Sequence, residues 1–390
     1  MNKKILLCIT GSIAAYKSAD IASKLISNGY DVYVVMTHNA TKFISPMVFE
    51  TLTKKKVYVD LFKDEDHTHV THISYATECD LVLVVPATYN IIGKAACGIA
   101  DDLLSSILAA TTCNKVIYAP AMNVNMYNNP ALVNNIKILS ERGSFFIEPE
   151  EGMLACGVSA RGRLRNISSI LETVDSFFCV KLLKGKKITI TAGATREYID
   201  PIRFISNSSS GLMGLSLAKA CRNMGALVTL ILANSELEAE GINIIKVSTV
   251  KEMYEAVLSE YENSDMVFAA AAVSDYKPSA YSESKIKKNT DKLNIELVKN
   301  TDILFELGKL KKNQILVGFA AESNNIVENA RIKLAKKNLD AIIANDLSNF
   351  SSKEGKVSVV TADKIIELER QPKEMLAYEI VRKVLDNLHE

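Results

Sequence analysis

Three side chains in the first half of the chain are of types that handle protons and carboxylates. His72 precedes an apolar residue, and an imidazole changes its charge near neutral pH. Asn123 follows a Pro-Ala-Met sequence, and its amide offers two donors and an acceptor to a carboxylate or an amide. Cys156 lies between small residues and could donate a proton inside a closed site. Asn123 is also compatible with a simple turn, and Cys156 with a buried free thiol.

The histidines before His72 raise the alternative of a metal site. His67, His69 and His72 lie within six residues, and zinc sites use such ligands. No acidic or cysteine partner has a matching spacing, and the spacing is not that of one helix face. We therefore favour a single functional histidine, His72, with the other two solvated.

Two turns in the first half could hold a phosphate and a flat ring. Residues 10–17, Thr-Gly-Ser-Ile-Ala-Ala-Tyr-Lys, follow an apolar run and could present N–H groups to a phosphate at a helix start. They match neither G-x-G-x-x-G nor the Walker spacing, so an ordinary turn is equally compatible. Thr88 and Asn90 offer hydrogen bonds beside small residues; the alternative is tight packing, with Asp101 or Asp102 as a helix cap.

The second half carries a polar segment over residues 191–211. Its serine-rich end precedes a helical pattern and could hold a phosphate. Arg203 could add a bidentate clamp. Helix capping would account for Ser210 but not for the whole polar run.

Further polar residues follow later strands of the second half. Asp275 could contact a ribose, a base or Mg²⁺, and is equally compatible with a loop cap. Between Lys285 and Lys312 there are eight lysines and four acids, which indicates either a solvated face or a clamp for a triphosphate. Phe319 could stack on a base or pack in the core. Lys333 and Lys337 share one helix face, for which a surface role is the default.

These residues need a scaffold, and the apolar pattern supplies one. Apolar runs alternate with helical patterns, which predicts an α/β fold of two doubly wound, mainly parallel sheets with ligands beyond the strand carboxyl ends. The predicted domains are 1–184 and 185–390, joined near Lys184 and Gly185, the first flavodoxin-like. Residues 148–165 and 274–293 are predicted as long functional loops. The predicted strands are 5–9, 32–36, 81–85, 116–118, 188–191, 227–232, 266–271, 315–319 and 341–344, and the predicted helices are 14–27, 102–111, 212–224, 250–261 and 327–337.

Composition limits the classes of partner. Of 390 residues, 48% are hydrophobic and 23% charged, and the net charge of +1 gives no global electrostatic case for nucleic acid or membrane. Seven scattered cysteines without a CxxC pair favour a reducing compartment. The first apolar run is too short for a signal peptide, and none approaches the roughly 20 residues of a membrane helix. We expect a cytoplasmic protein.

The motif order of the first half is specific when taken together. G-S-I-A-A-Y-K, P-A-T-x-N, A-D-D-L-L, P-A-M-N-x-x-M and A-C-G…G-R-L resemble the flavin-dependent cysteine decarboxylase family. The resemblance implies that His72 is the base or orients the substrate, that Asn123 binds the substrate carboxylate and that Cys156 donates the proton. Ser159-Ala160-Arg161 departs from a Gly-Pro stretch common in the family. The implied FMN contacts are Gly11, Ser12, Ile13, Ala14, Thr37 and Thr88, with Met126 as a substrate contact.

The second half resembles the phosphopantothenate–cysteine ligase family. The motifs are T-A-G-x-T-R-E, D-P-I-R-x-I-S-N-x-S-S-G, A-A-V-x-D-Y, K-I-K-K, V-K-N-x-D-I, G-F-A-A-E and K-N-L-D. The resemblance implies that Asn207 contacts an activated acyl intermediate and that Lys285 aids nucleotidyl transfer. Thr301 replaces a common proline. The other implied substrate or nucleotide contacts are Arg203, Ser210, Asp275, Asn300, Thr301, Asp302, Ile303, Leu304, Phe319, Lys333 and Lys337, and Mg²⁺ is expected with the nucleotide, Asp275 being a possible ligand.

Together the resemblances imply two successive steps of coenzyme A biosynthesis. CTP-dependent ligation of 4′-phosphopantothenate to L-cysteine would precede FMN-dependent oxidative decarboxylation to 4′-phosphopantetheine. Homo-oligomers are implied, with trimeric decarboxylase and dimeric ligase contacts, up to a dodecamer. The alternatives are decarboxylation of a peptide's C-terminal cysteine, a flavin-binding regulator, and nucleic-acid binding through residues 285–312. The near-zero net charge weakens the last.

Overall fold

The chain forms two compact units, Met1–Phe178 and Cys179–Glu390. The structure is a computed structural model and describes residues 3–62, 71–153, 159–287, 293–322, 326–346 and 354–388. In these ranges no helix has both the length and the apolar character needed to cross a membrane. Lys184 and Gly185 lie in the second unit, just before its first strand.

The first unit is built on a parallel sheet with strands in the order β2-β1-β3-β4-β5. Its central strands are apolar along their whole length because helices cover both faces. A separate antiparallel hairpin joins β6 to β7. The strands are β1 Lys4–Ile9, β2 Asp31–Met36, β3 Leu81–Ala87, β4 Val116–Pro120, β5 Phe145–Phe146, β6 Glu150–Met153 and β7 Ser159–Arg163.

Local signals set the helix boundaries of this unit. Ser45 caps α2, and Pro46 occupies its first position. Asp102 caps α5 by accepting the Ser105 N–H at 2.8 Å, which confirms the capping interpretation of that aspartate. The helices are α1 Lys17–Ser27, α2 Pro46–Thr53, α3 Thr71–Glu78, α4 Tyr89–Cys97, α5 Leu103–Ala110, α6 Val124–Tyr127, α7 Pro130–Glu141 and α8 Ile167–Phe178, with 3₁₀ turns at Ile13–Tyr16, Ala40–Lys42 and Cys113–Lys115.

The second unit has a larger sheet, in the order β12-β11-β8-β13-β16-β17-β18-β19. Its strands are parallel from β12 to β17, and β18 and β19 extend it antiparallel. The sheet strands are β8 Lys187–Gly193, β11 Leu227–Ala233, β12 Asn243–Val247, β13 Met266–Ala269, β16 Ile315–Glu322, β17 Ala341–Asp346, β18 Glu354–Val360 and β19 Ile365–Pro372; small ladders pair β9 Arg196–Tyr198 with β10 Phe204–Ser206 and β14 Tyr276–Pro278 with β15 Leu297–Lys299.

Helices cover both faces of this sheet as well. One apolar cluster joins α9 and α13 to one face, and another joins α10 and α11 to the opposite face. Gly214 permits the close approach of α9, since a Cβ there would lie 2.4 Å from that of Ala192. The helices are α9 Leu212–Asn223, α10 Val250–Tyr261, α11 Ile303–Leu310, α12 Ile326–Lys336 and α13 Lys373–Leu388.

The predicted fold class is confirmed, and two local predictions need correction. Residues 148–165 contain the β6–β7 hairpin, in which Met153 pairs with Ser159. The antiparallel strands β18 and β19 were not predicted. Because β19 runs parallel to β17, it ends at the carboxyl edge of the parallel strands, and α13 begins there.

Candidate functional site

A cavity of about 590 Å³ lies at the carboxyl ends of the parallel strands of the first unit. The turns after β1, β2, β3 and β4 each contribute to its wall, as expected for a doubly wound sheet. Five of the predicted site residues line it, namely Gly11, Ser12, Thr37, Thr88 and Met126. Positions that are far apart in the sequence therefore meet at one place.

Hydrogen bonds of Thr10 join the first and third of these turns. Its hydroxyl donates to the Pro86 carbonyl at 2.6 Å and accepts the Thr88 N–H at 3.2 Å. A Cβ at Gly11 would lie 2.7 Å from the Cβ of Asn39, so the turn after β2 approaches a position that only glycine fits without displacement. The base of the cavity is therefore fixed before any ligand enters.

The remaining predicted contacts of the first turn lie slightly apart. The Ser12 hydroxyl accepts the Ala14 N–H at 3.3 Å and caps the 3₁₀ turn. Ile13 is exposed, and neither it nor Ala14 lines the cavity. Thr37 accepts the Ala40 N–H at 3.3 Å, and its hydroxyl hydrogen remains available to a ligand.

A charged cluster that sequence reasoning treated only as a cap forms another part of the wall. Lys94 Nζ lies 2.5 Å from Asp101 Oδ1 and 2.7 Å from Asp102 Oδ2. The hydrogen bond from Lys94 lowers the pKa of Asp101 below its usual range. The cluster ties α4 to the start of α5, and all three residues line the cavity.

Two predicted catalytic residues of the first unit, His72 and Asn123, do not line the cavity. His72 is half-buried on α3. Asn123 caps α6, its Oδ1 accepting the Asn125 N–H at 2.8 Å, between cavity residues Met122 and Met126. Cys156 lies outside the described residues.

The hairpin that flanks Cys156 is attached beside Asn123. The Met122 N–H donates to the Gly162 carbonyl of β7 at 3.0 Å. Arg161, part of the departure from the family sequence, pairs with Glu148 and lies 5.8 Å from the centre of the Tyr127 ring. His67 and His69 lie outside the described residues, within which no group of three or more His, Cys, Asp or Glu side chains could hold a metal.

A second cavity, of about 530 Å³, lies at the carboxyl edge of the sheet in the second unit. Its wall includes the turn 207–213, residues 270–273 and the ends of β16 and β17. Five predicted residues meet there, namely Asn207, Ser210, Asp275, Phe319 and Lys333. Phe319 also packs against the core, which supports one of its two interpretations, and stacking on a base stays a prediction.

The turns of this wall depend on close backbone contacts. Gly193 has φ +83°, and a Cβ there would lie 2.0 Å from the Ala233 carbonyl oxygen. Asn207 Nδ2 donates to the Val273 carbonyl at 3.0 Å, which orients the amide. Gly211, with φ +79°, is the N-cap of α9 and has no side chain between the helix start and the cavity.

Arg203 and Lys285 lie in a neighbouring group that Asp200 organises. Arg203 Nη1 donates to Asp200 Oδ2 at 3.0 Å and to the Ile286 carbonyl at 3.1 Å. The Ile286 N–H donates to the same Asp200 oxygen at 3.2 Å. Although burial alone would raise it, the N–H groups of Arg203, Ile202 and Ile286 hold the pKa of Asp200 below its usual range. Arg203 thus fixes the segment that carries the exposed Lys285, and neither residue lines the cavity.

The remaining predicted nucleotide contacts form a third group. Asp302 caps α11 by accepting the Phe305 N–H at 3.1 Å, and its carboxylate lies 2.8 Å from Lys337 Nζ. The Asn300 N–H donates to the Asp275 carbonyl at 2.8 Å, which connects this group to the cavity. Thr301 donates to the Asn300 side chain, while Ile303 packs in the core together with the half-buried Leu304.

Two residues of the second cavity were not predicted. Asn345 is the last residue but one of β17, and its Oδ1 is buried without a hydrogen-bond partner in the described part of the chain. Lys373 begins α13 and is only 9% exposed, and burial lowers the pKa of its ammonium group. No motif marks either residue, and the position of Lys373 depends on the antiparallel return of the chain through β18 and β19.

Two family models cover nearly all of the chain. The Flavoprotein family matches residues 1–179. The family described as DNA/pantothenate metabolism flavoprotein C-terminal domain matches residues 183–388.

Curated relatives match the chain along most of its length. The coenzyme A biosynthesis bifunctional protein CoaBC of Borreliella burgdorferi is 48% identical over 386 residues, which is 98% of both chains. Its counterpart from Bacillus subtilis is 47% identical over 351 residues, 89% of this chain and 86% of the relative.

Solved structures match each half separately. The C-terminal domain of a coenzyme A biosynthesis bifunctional protein CoaBC is 39% identical and covers 53% of this chain and 97% of its own, with a TM-score of 0.47. The FMN binding protein AtHal3 is 29% identical and covers 46% of this chain and 97% of its own, with a TM-score of 0.42.

Proposed function

The chain belongs to the family of coenzyme A biosynthesis bifunctional proteins, which join a phosphopantothenoylcysteine decarboxylase to a phosphopantothenate–cysteine ligase, and we propose which of its residues carry each reaction. The observation that best supports the proposal is the convergence of predicted residues on one cavity in each unit. In both units the cavity lies at the carboxyl ends of parallel strands, where such folds bind ligands.

The second unit joins 4′-phosphopantothenate to L-cysteine in two steps. A carboxylate oxygen of the acid attacks the α-phosphorus of CTP, pyrophosphate leaves, and an acyl cytidylate forms. The cysteine amine then attacks the acyl carbon, a proton is lost, and cytidine monophosphate leaves as the amide bond forms. Activation is needed because a carboxylate is a poor electrophile.

The residues of the second cavity suit these steps. Asn207, whose amide is held by the Val273 carbonyl, contacts the acyl intermediate. Phe319 offers a flat ring to the base, and Lys333 offers a cation to the phosphates. Asp275 contacts the ribose or Mg²⁺, which would neutralise charge on the triphosphate. Lys285 assists nucleotidyl transfer from a segment that Asp200 holds.

The first cavity fits FMN. Gly11 leaves room where a side chain would collide with Asn39, and hydroxyls of Ser12, Thr37 and Thr88 stand on the wall. Bound FMN would supply the two-electron redox chemistry of the decarboxylation. Gly11, Ser12, Thr37 and Thr88 would hold it, with Ile13 and Ala14 at the outer side of the turn.

The side chains of the first unit manage the substrate around that redox chemistry. Oxidation of the cysteinyl thiol to a thioaldehyde places the carboxylate β to an electron sink, so that carbon dioxide leaves readily. Asn123 binds that carboxylate, and His72 orients the thiol or takes its proton. Cys156 then gives a proton to a carbon of the resulting enethiolate, the hydride equivalent removed in the oxidation would return to the other carbon, and a proton from solvent converts the saturated thiolate to the thiol.

One reaction mixture tests this function. The mixture contains the protein, FMN, Mg²⁺, 4′-phosphopantothenate, L-cysteine and CTP. We expect 4′-phosphopantetheine, carbon dioxide, pyrophosphate and cytidine monophosphate as products, and mass spectrometry detects them. Omission of CTP should abolish every product, and replacement by ATP reports the nucleotide preference. A complete mixture that yields no ligated product would refute the assignment.

We also propose a cytoplasmic homo-oligomer with trimeric decarboxylase contacts and dimeric ligase contacts, up to a dodecamer. The described cysteines Cys8, Cys79, Cys97 and Cys221 are free thiols, which suits a reducing compartment. Light scattering of the purified full-length chain tests the assembly, and a monomer at micromolar concentration would contradict it.

A further inference from the structure

Lys373 occupies an unusual place in the second unit. It is the first residue of α13, it lines the second cavity, and it is more than nine-tenths buried. Among the described residues, no acceptor lies within hydrogen-bonding distance of its ammonium group, and no carboxylate pairs with it. Buried lysines are normally paired with an anion or an acceptor, so this one lacks a partner that it needs.

The positive charge around Lys373 indicates that its missing partner is an anion. A helix start carries partial positive charge, and acidic side chains are favoured there. Lys373 adds a full positive charge at such a start. The start of α9, capped by Gly211 beside Ser209 and Ser210, lines the same cavity. Two helix starts and a buried ammonium group therefore face one space.

The burial of Lys373 has a measurable cost without ligand. Removal from water lowers the pKa of its ammonium group, and no neighbouring carboxylate opposes that effect. A charge in this setting suits binding rather than folding. An anion entering the cavity would satisfy the ammonium group and both helix starts.

On the premise of the proposed ligase function, we propose that Lys373 is a further substrate-binding residue whose ammonium group holds a phosphoryl group in the second cavity. Phosphoryl oxygens suit it because lysine is a point charge with three donors. Both CTP and 4′-phosphopantothenate carry such a group. The orphaned acceptor of Asn345 on the same wall is free to receive an N–H of the same ligand.

Full-length K373M tests this proposal, with K373R and K383M beside it. Methionine keeps much of the length of the side chain without its charge, and Lys383 lies further along the same helix, away from the cavity. Calorimetric titration with CTP, cytidine, 4′-phosphopantothenate and pantothenate separates the two phosphoryl sources from their unphosphorylated parts. K373M should raise the Kd of one phosphorylated ligand by about 10- to 100-fold, which is the effect expected for loss of a charge-assisted hydrogen bond. K373R should restore part of the affinity, and K383M should match the wild type.

The thermal unfolding of the ligand-free protein separates binding from a structural role. Loss of an unpaired buried charge should leave the Tm of the second unit of K373M unchanged or raised, whereas a structural role would lower it. Unchanged affinity of K373M for both phosphorylated ligands, or a Tm loss without a binding loss, would overturn the inference. If the wild type itself binds neither ligand and releases no pyrophosphate from CTP, the proposed ligase function fails instead.

Discussion

Both cavities lie at the carboxyl ends of parallel strands, but different segments of the chain complete their walls. In the first unit, the wall combines turns that directly follow β1, β2, β3 and β4 with residues 59–62 and the charged cluster of Lys94, Asp101 and Asp102. In the second unit, Lys373 joins the wall only after the antiparallel strands β18 and β19 have returned the chain to the carboxyl edge. Short motifs therefore predict part of each cavity, and the second also depends on a return of the chain that no motif marks.

The positions of the predicted catalytic residues can be compared between the two units in the same way. In the first unit the predicted cofactor contacts Gly11, Ser12, Thr37 and Thr88 line the cavity, while Asn123 and the hairpin flanking Cys156 are attached beside it through Met122. In the second unit Lys285 is held near the site by the buried Asp200. In both units, predicted catalytic residues thus stand on segments attached beside the cavity wall, which agrees with loops being frequent carriers of function.

Replacement of Cys156 should have the largest effect and should be confined to the first unit. C156S should form carbon dioxide but lower the rate of saturated product by about 100- to 10,000-fold, because general acid catalysis contributes that much. Mass spectrometry of the stalled reaction should show a product two hydrogens short of the saturated thiol. C97S, which changes an exposed cysteine outside the cavity, is the control. Normal turnover of C156S would remove the donor role.

Replacement of Lys285 should break the second unit alone. K285A should lower acyl-cytidylate formation by about 100- to 1,000-fold, the usual effect of losing an electrostatic contact to a transferring group. Pyrophosphate release measures it, while decarboxylation of supplied 4′-phosphopantothenoylcysteine should be unchanged. Lys251, exposed on α10, provides the control K251A. Equal loss in both assays would argue against separate sites.

The turn at Gly193 should control the stability of the second unit. G193A introduces a Cβ 2.0 Å from the Ala233 carbonyl oxygen, and we expect about 3 kcal/mol or more of destabilisation, the scale of severe core strain. G185A is the matched control, since Gly185 has φ +77° but open space, so only about 1–2 kcal/mol of backbone strain should result. Denaturant unfolding of both variants measures the difference, and equal losses would show that the contact is not limiting.

A smaller effect should come from the group that positions Lys285. In D200N an amide replaces the carboxylate whose oxygen accepts hydrogen bonds from Arg203 and Ile286. An amide NH2 group cannot accept these bonds, so the segment that carries Lys285 should shift. The ligation rate should then fall about tenfold. D386N, on the exposed face of α13, should leave ligation unchanged. A normal ligation rate for folded D200N would mean that Lys285 does not depend on this group.

The sequence predicted the fold where the apolar pattern was unambiguous. All nine predicted strands are present, since each is a run of mainly apolar and β-branched residues between polar turns. The strands β18 and β19 were missed because antiparallel strands with one solvated face alternate apolar and polar residues and resemble surface helices or loops. The β6–β7 hairpin was missed because Gly152 and Gly162 weaken its strand pattern.

The candidate sites were predictable to the extent that motifs carry them. Gly11, Thr88 and Asn207 stand in turns with recognisable sequences, and the structure places them on or beside cavities. Arg203 was expected to clamp a phosphate, yet its guanidinium bonds Asp200 and the Ile286 carbonyl, a contact across more than 80 positions that no local pattern reveals. Lys373 was missed for the same reason.

The measurement that tests the central claim most directly is complementation between the two deficient chains. C156S and K285A, each alone with all substrates, FMN and Mg²⁺, should give no appreciable 4′-phosphopantetheine. Their mixture should form it, because the C156S chain supplies ligated intermediate to the intact decarboxylase unit of the K285A chain. If each variant is inactive alone and the mixture makes no saturated product, the division into two independent chemistries is contradicted.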